Sequence, residues 1–125
     1  MRNLDNKNEN DHQNADKNFD WVDELNLSIT VTDLDDNIIY MNEKSQSSFP
    51  STSIGDNLHY CHQKFSNEII SKLKSENISN TYTIQKDGIK KLIHQTPWYI
   101  SGELAGLVEF SIEIPNEMEH KNRDV

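Results

Sequence analysis

Apolar and polar residues alternate with a period of two over much of this chain, and over one stretch the apolar residues return at helical spacing instead. In "SITVTDLDDNIIYMN", Ile29 and Val31 alternate with Ser28, Thr30 and Thr32, so a strand is expected near 28–33. Asp33 to Asn37 supply short polar side chains that bond their own backbone and turn the chain. Ile38 to Met41 then form a return strand near 38–42. Asn42 is placed to cap a short helix that Pro50 must end, and "PSTSIGDN" reads as loop. Phe65, Ile69, Ile70 and Leu73 form a single apolar stripe, which predicts the principal helix over 65–76, with Asn77 as its stop. "ISNTYTIQ" predicts a strand near 78–86, a tight turn at "KDG" follows, and "KKLIHQTPWYI" predicts a strand over 90–100. After "SGE", residues 105–114 alternate cleanly. Val108, Phe110, Ile112 and Ile114 point one way, and Leu107, Glu109, Ser111 and Glu113 the other.

Three strands joined by short turns make an antiparallel meander with one buried face. Together with the first hairpin they close into a five-stranded antiparallel sheet whose intervening helices cover one face, an α+β architecture. Ahead of the hairpin, Phe19, Trp21, Val22 and Leu25 share most of one helical face, capped by Asp16 or Asp20. Residues 1–17 carry almost nothing apolar. They cannot bury enough surface to offset the entropy of ordering, and read as a disordered arm. This divides the chain into an arm over 1–17, one domain over 18–115 and a tail over 116–125.

The remaining composition excludes more than it assigns. With 125 residues the chain makes one domain with a modest core. It holds no apolar stretch of the ~18–20 residues that cross a membrane, and its polar N-terminus has no signal-peptide core. A single cysteine allows no intrachain disulfide, so a reducing, cytoplasmic setting is the expectation. A net charge of −9 without a basic cluster argues against nucleic acid and against anionic lipid.

The chemistry-bearing stretch is "NLHYCHQKFSNEII", where His59 and His62 flank Cys61 at the mouth of the predicted helix. A nucleophile reading needs a base beside Cys61 and a group to orient it. His59 would share Cys61's side of a strand and His62 the opposite side, but no oxyanion donors or triad signature surround them. Structural zinc wants four ligands, which Cys61, His59, His62 and His94 supply only if the strand-borne His94 reaches back, in a spacing that matches no zinc pattern. The plainer alternative makes Cys61 a small buried hydrophobe and His62 a partner for the helix start. The stripe Phe65, Ile69, Ile70 and Leu73 is core by default.

The order of elements, and the residues within them, resemble a PAS domain over residues 19–118. "TDLDDNIIYMNEKS" resembles the opening hairpin, with an acidic turn between strands and an Asn starting the next helix. "IGDNLHYCH" looks like the glycine-led loop before the long helix, and "SGELAGLVEFSIEI" resembles the final hairpin. The Cys-His pair, with "YTI", "QTPWY" and "GLVEFS", looks like small stand-alone bacterial PAS sensors. The pattern departs from that subgroup where Gln63 and Lys64 stand in place of a proline, and where Glu113, Ile114 and Pro115 replace the usual exit signature.

The resemblance implies a sensory module and not an enzyme. It would bind a small apolar or aromatic ligand between the helix and the sheet and signal to a separate partner, since no output domain follows. It implies a site drawn from Cys61, His62, Phe65, Ile69, Leu73, His94 and Phe110. Some family members hold haem through an axial ligand there, for which Cys61 or His62 would serve. The cysteine-bearing motif of the flavin-binding subgroup is absent. A pocketless adaptor that only dimerises or docks is the other function class. A homodimer is expected in either case, because the helix carrying Trp21 and Val22 and an exposed sheet face hold apolar surface that one small domain cannot cover.

Overall fold

The computed structural model describes residues 20–58 and 67–124. Strands form where the sequence alternates: β1 (Ser28–Thr32), β2 (Ile38–Met41), β3 (Asn80–Lys86), β4 (Ile89–Ile100) and β5 (Glu103–Ile114). Among the described residues two helices lie between β2 and β3, α1 (Glu43–Ser48) and α2 (Asn67–Glu76). The strands make one antiparallel sheet in the order β2-β1-β5-β4-β3. Residues 20–23 form a helical turn that stops before Leu25, and Trp21 on it is largely exposed.

The turns follow from side-chain chemistry. Asp33 Oδ1 accepts from the backbone N–H groups of Asp35 and Asn37, each at 2.9 Å, which closes the β1–β2 turn. Asp87 and Gly88 both take positive φ, the backbone that a two-residue hairpin needs to match strand twist. Asn77 (φ 52) ends α2 in the left-handed region. β5 ends at Ile114, and Pro115 after it has no N–H to continue the ladder.

The core lies on the helix side of the sheet. Ile70 and Leu73 of α2 pack with Ile38, Met41, Leu58 and Leu107, while Ile69 and Phe49 flank them. Strand pairing then fixes which residues face the helices. On β5 these are Leu107, Glu109 and Ser111, on β4 Pro97, Gln95 and Ile93, and on β1 Thr32, Thr30 and Ser28. The helix-facing side of the sheet is therefore strongly polar. The apolar alternates Val108, Phe110, Ile112, Leu92 and Val31 stand on the opposite face, half-buried. The alternation expected from the sequence is present, but its apolar half looks away from the helices. α1 explains part of this, since it presents Ser45 to the sheet. The Ser45 and Thr30 hydroxyls are 2.6 Å apart in the interior.

Two polar links tie the periphery to this frame. Lys74 of α2 pairs with the buried Asp36 at 2.8 Å and donates to the Leu34 carbonyl at 2.9 Å, which fixes α2 against the β1–β2 turn. Tyr40 donates to Asp23 Oδ1, which joins β2 to the turn at 20–23. Burial first, then the hydrogen bond to Asp23 and its charge, push the Tyr40 phenol far above its ordinary value of 10.0.

A pH dependence follows. Above pH ~10 the unfolded chain releases the Tyr40 proton while the native state keeps it, so stability is full below that point and falls as pH rises. Urea midpoints between pH 7 and pH 11 test this. Tyr40→Phe should be less stable at pH 7 and should lose stability less steeply above pH ~10 than the wild type. Parallel declines in the two proteins would remove Tyr40 as the cause.

Candidate functional site

A cavity of about 190 Å³ lies where α2 faces the entry to β3, lined by Glu68, Ile69, Lys72, Leu73, Ile78, Ser79 and Asn80. Ile69 and Leu73 arrive from one face of the helix because they stand four residues apart. Asn80 is the first residue of β3 and points to the helix side, being paired with Gln95. The cavity thus has an apolar floor from α2 and a polar wall from the sheet.

That wall continues inward. Asn80 Nδ2 donates to Gln95 Oε1 at 2.9 Å, and Gln95 Nε2 donates to Glu109 Oε2 at 2.8 Å. The row runs across three neighbouring strands, because 80, 95 and 109 are directly opposed residues on one face. Gln95 is 1% exposed and Glu109 4%. Tyr82 lies beside the row, and its phenol is raised above its ordinary value by burial and then by the Glu109 charge, against a hydrogen bond to Gln95 that lowers it. Glu109 thus lies buried on the helix-facing side of the sheet, in a row with Gln95 and Asn80.

The residues expected from the sequence divide into three groups. Ile69 and Leu73 line the cavity. Cys61, His62 and Phe65, with His59, lie outside the described residues. His94 and Phe110 are a correction. They oppose each other on β4 and β5, on the face turned away from the helices, and His94 Nδ1 is hydrogen-bonded to Thr81 Oγ1 at 2.7 Å. Side-chain direction alternates residue by residue, so these two share the parity of Val108 and Ile112, not that of the core residue Leu107. A zinc set that includes His94 would need it on the helix side. Among the described residues no group of three metal-ligating side chains occurs, and no helix is long and apolar enough to cross a membrane.

Sequence reasoning missed Asn80, Gln95, Glu109 and Tyr82. The one available signal was the alternation in "LVEFSIEI", which puts Glu109 in step with Leu107. Leu107 is core, and Glu109, two residues on, follows it to the inside.

No family model matches the chain, and no curated protein matches it in sequence. The fold nevertheless has solved counterparts. The PAS domain of an HTR-like protein from Haloarcula marismortui superposes with a TM-score of 0.59 at 15% identity, over 86% of this chain and 98% of that one. A PAS domain from Colwellia psychrerythraea gives 0.56 at 22% identity, over 80% of this chain and 96% of that one. VqmA bound to DPO gives 0.60 at 15% identity over 78% of this chain, which spans 57% of VqmA. The fold is that of a PAS domain: a five-stranded antiparallel sheet with helices on one face.

Proposed function

We propose that this protein is a sensory module. A small molecule enters between α2 and the sheet, alters how that helix packs, and the change passes to a separate signalling partner. The observation that carries this reading is the cavity of about 190 Å³ between Leu73, Ile69 and Asn80. A dry cavity of ~150 Å³ is enough to hold benzene, so this one suits a ligand of single-ring size. VqmA bound to DPO is a protein of similar fold that takes a ligand.

A second reading, a dimerising adaptor, is favoured by the outer face of the sheet. Val31, Val108, Phe110 and Ile112 form an uncharged band there, continuous across β1 and β5. A two-fold contact needs such a self-complementary patch, and its occupant would be a second copy of this chain.

Native mass spectrometry of the purified full chain, with an absorption spectrum of the same sample, tests both readings. The sensory reading predicts a small bound mass, released on denaturation, with no Soret band. A Soret band would return the iron to Cys61 or His62. A dimer without bound mass that Phe110→Glu converts to monomer would leave the adaptor reading alone.

A further inference from the structure

We propose that two copies of this chain join edge to edge through β3, paired antiparallel about a two-fold axis at Thr83, so that one sheet runs through both. The contact uses neither the cavity nor the outer face of the sheet. The sheet has two edges, β2 and β3. The β2 edge is short and covered. Its pairing with β1 shifts register between Val31 and Thr32. The Ile38 N–H donates to the Asp56 carbonyl, and the Ile38 carbonyl accepts from the Gly55 N–H, each at 2.7 Å. The Gln46 amide donates to the Met41 carbonyl at 2.8 Å. Among the described residues β3 has no such cover. It keeps unbroken register against β4 and is exposed from Thr81 to Lys86. Its one charge, Lys86, stands at its end. An edge left this way is a template for another strand.

The hairpin turn sets which backbone groups face outward. Asp87 and Gly88 make a two-residue loop closed by the pair Lys86 and Ile89. That pair exchanges backbone hydrogen bonds, and so does every second pair back along the strand. Tyr82, Ile84 and Lys86 are thereby satisfied by β4, while the N–H and carbonyl groups of Thr81, Thr83 and Gln85 point away from the sheet. An axis at Thr83 sets Thr83 against its own copy, and Thr81 against Gln85 of the second copy. All of these outward groups then meet, in about six hydrogen bonds. The same register sets Tyr82 opposite Ile84 of the second copy, an aromatic against a β-branched chain, and opposes no like charges. An axis at Tyr82 would instead set Ile84 against Asn80 and carry Gln85 past the end of the partner strand. A foreign strand would leave a new edge exposed, whereas a second copy closes both edges at once.

Sedimentation and amide hydrogen exchange of the full ¹⁵N-labelled chain, at ~20 µM and ~1 mM, test this. The amides of Tyr82, Ile84 and Lys86 should exchange slowly at both concentrations. Those of Thr81, Thr83 and Gln85 should become slow only as dimer forms. Thr83→Lys sets two ammonium groups against each other at the axis and should weaken association about tenfold. Thr83→Glu should do the same. A mixture of the two variants should restore association, because the axis then opposes unlike charges. Thr83 is exposed, so both variants keep the monomer fold, which the unchanged slow exchange of Tyr82 and Ile84 verifies. Thr83→Pro removes an N–H that β4 does not use and should leave a folded monomer. Fast exchange at Thr81, Thr83 and Gln85 at both concentrations overturns the proposal, whether the chain is a monomer or a dimer that Phe110→Glu separates. A mixture of the charge variants that associates no better than either alone overturns it too. So does a Thr83→Pro protein that dimerises as tightly as the wild type.

Discussion

Gly106→Ala is expected to cost about 4 kcal/mol or more, placing it among the most damaging single substitutions in this chain. Gly106 sits on β5 opposite Trp98, beside the crossing with β1. A Cβ built there would overlap the Thr32 carbonyl oxygen and approach Trp98 Nε1 to 2.9 Å. Both are parts of one contact, because the Trp98 indole N–H donates to that same carbonyl at 2.9 Å. The indole can lie over this point only because residue 106 has no side chain. The backbone cannot yield cheaply either. Thr32 Oγ1 accepts from the Leu107 N–H at 3.2 Å and is 3.3 Å from the Leu107 carbonyl, which pins the two strands together beside the clash.

Against a total stability of ~5–15 kcal/mol, such a loss should lower the melting temperature by ~15–30 °C or leave the protein unfolded. Gly102→Ala is the control. Gly102 also has positive φ (83) but open space around its Cβ position, so only the conformational cost of ~1 kcal/mol applies. Thermal and urea unfolding of the two variants decide the matter. Equal losses would mean that the contact with Thr32 and Trp98 carries nothing.

Asn42→Ala is expected to cost about 3 kcal/mol. This side chain is 1% exposed and uses its full hydrogen-bonding capacity. Oδ1 accepts from the Ile29 N–H at 3.0 Å and from the Ser45 N–H at 3.1 Å. Nδ2 donates to the carbonyls of Val22 at 3.0 Å and Leu27 at 2.8 Å. One residue therefore caps α1, holds β1 and ties down the chain entering the sheet. Truncation strands several of these groups in the interior at ~1–3 kcal/mol each, reduced where water can follow. Asn42→Asp separates the two halves of the role. It keeps an acceptor for Ile29 and Ser45 but turns carboxylate oxygen toward the Val22 and Leu27 carbonyls, so it should be at least as damaging as alanine. Urea midpoints measure this, and hydrogen exchange over residues 22–27 localises it. An Asp variant with wild-type stability would show that the two donated bonds contribute nothing.

The strands, the turns and the helical stripe were legible because each is a local property. Period-two alternation marked residues 28–33 and 105–114, and strands occupy Ser28–Thr32 and Glu103–Ile114. Asn42 was legible as a cap, although its bonds to Val22 and Leu27 were not, since they join residues 20 and 15 positions away. The five-stranded sheet followed from element order, and the PAS likeness was readable in the residues themselves.

What the sequence by itself determined is thus the set of elements, their order and the α+β architecture, together with an apolar helix stripe whose Ile69 and Leu73 reach the cavity wall. Only the tertiary structure decided which face of the sheet the helices cover. Alternation shows that Phe110 and Glu109 look in opposite directions, and hydrophobicity then assigns Phe110 to the inside. Strand pairing reverses that assignment, because Leu107 enters the core with Ile70 and Leu73 and carries every second residue of β5 with it. His94 leaves the helix side for the same reason, and Gln95 and Glu109 take its place there. The physical cause is that a strand has two faces but only one register. That register is set by pairing between β1, β4 and β5, partners up to 83 residues apart in the case of Ser28 and Ser111.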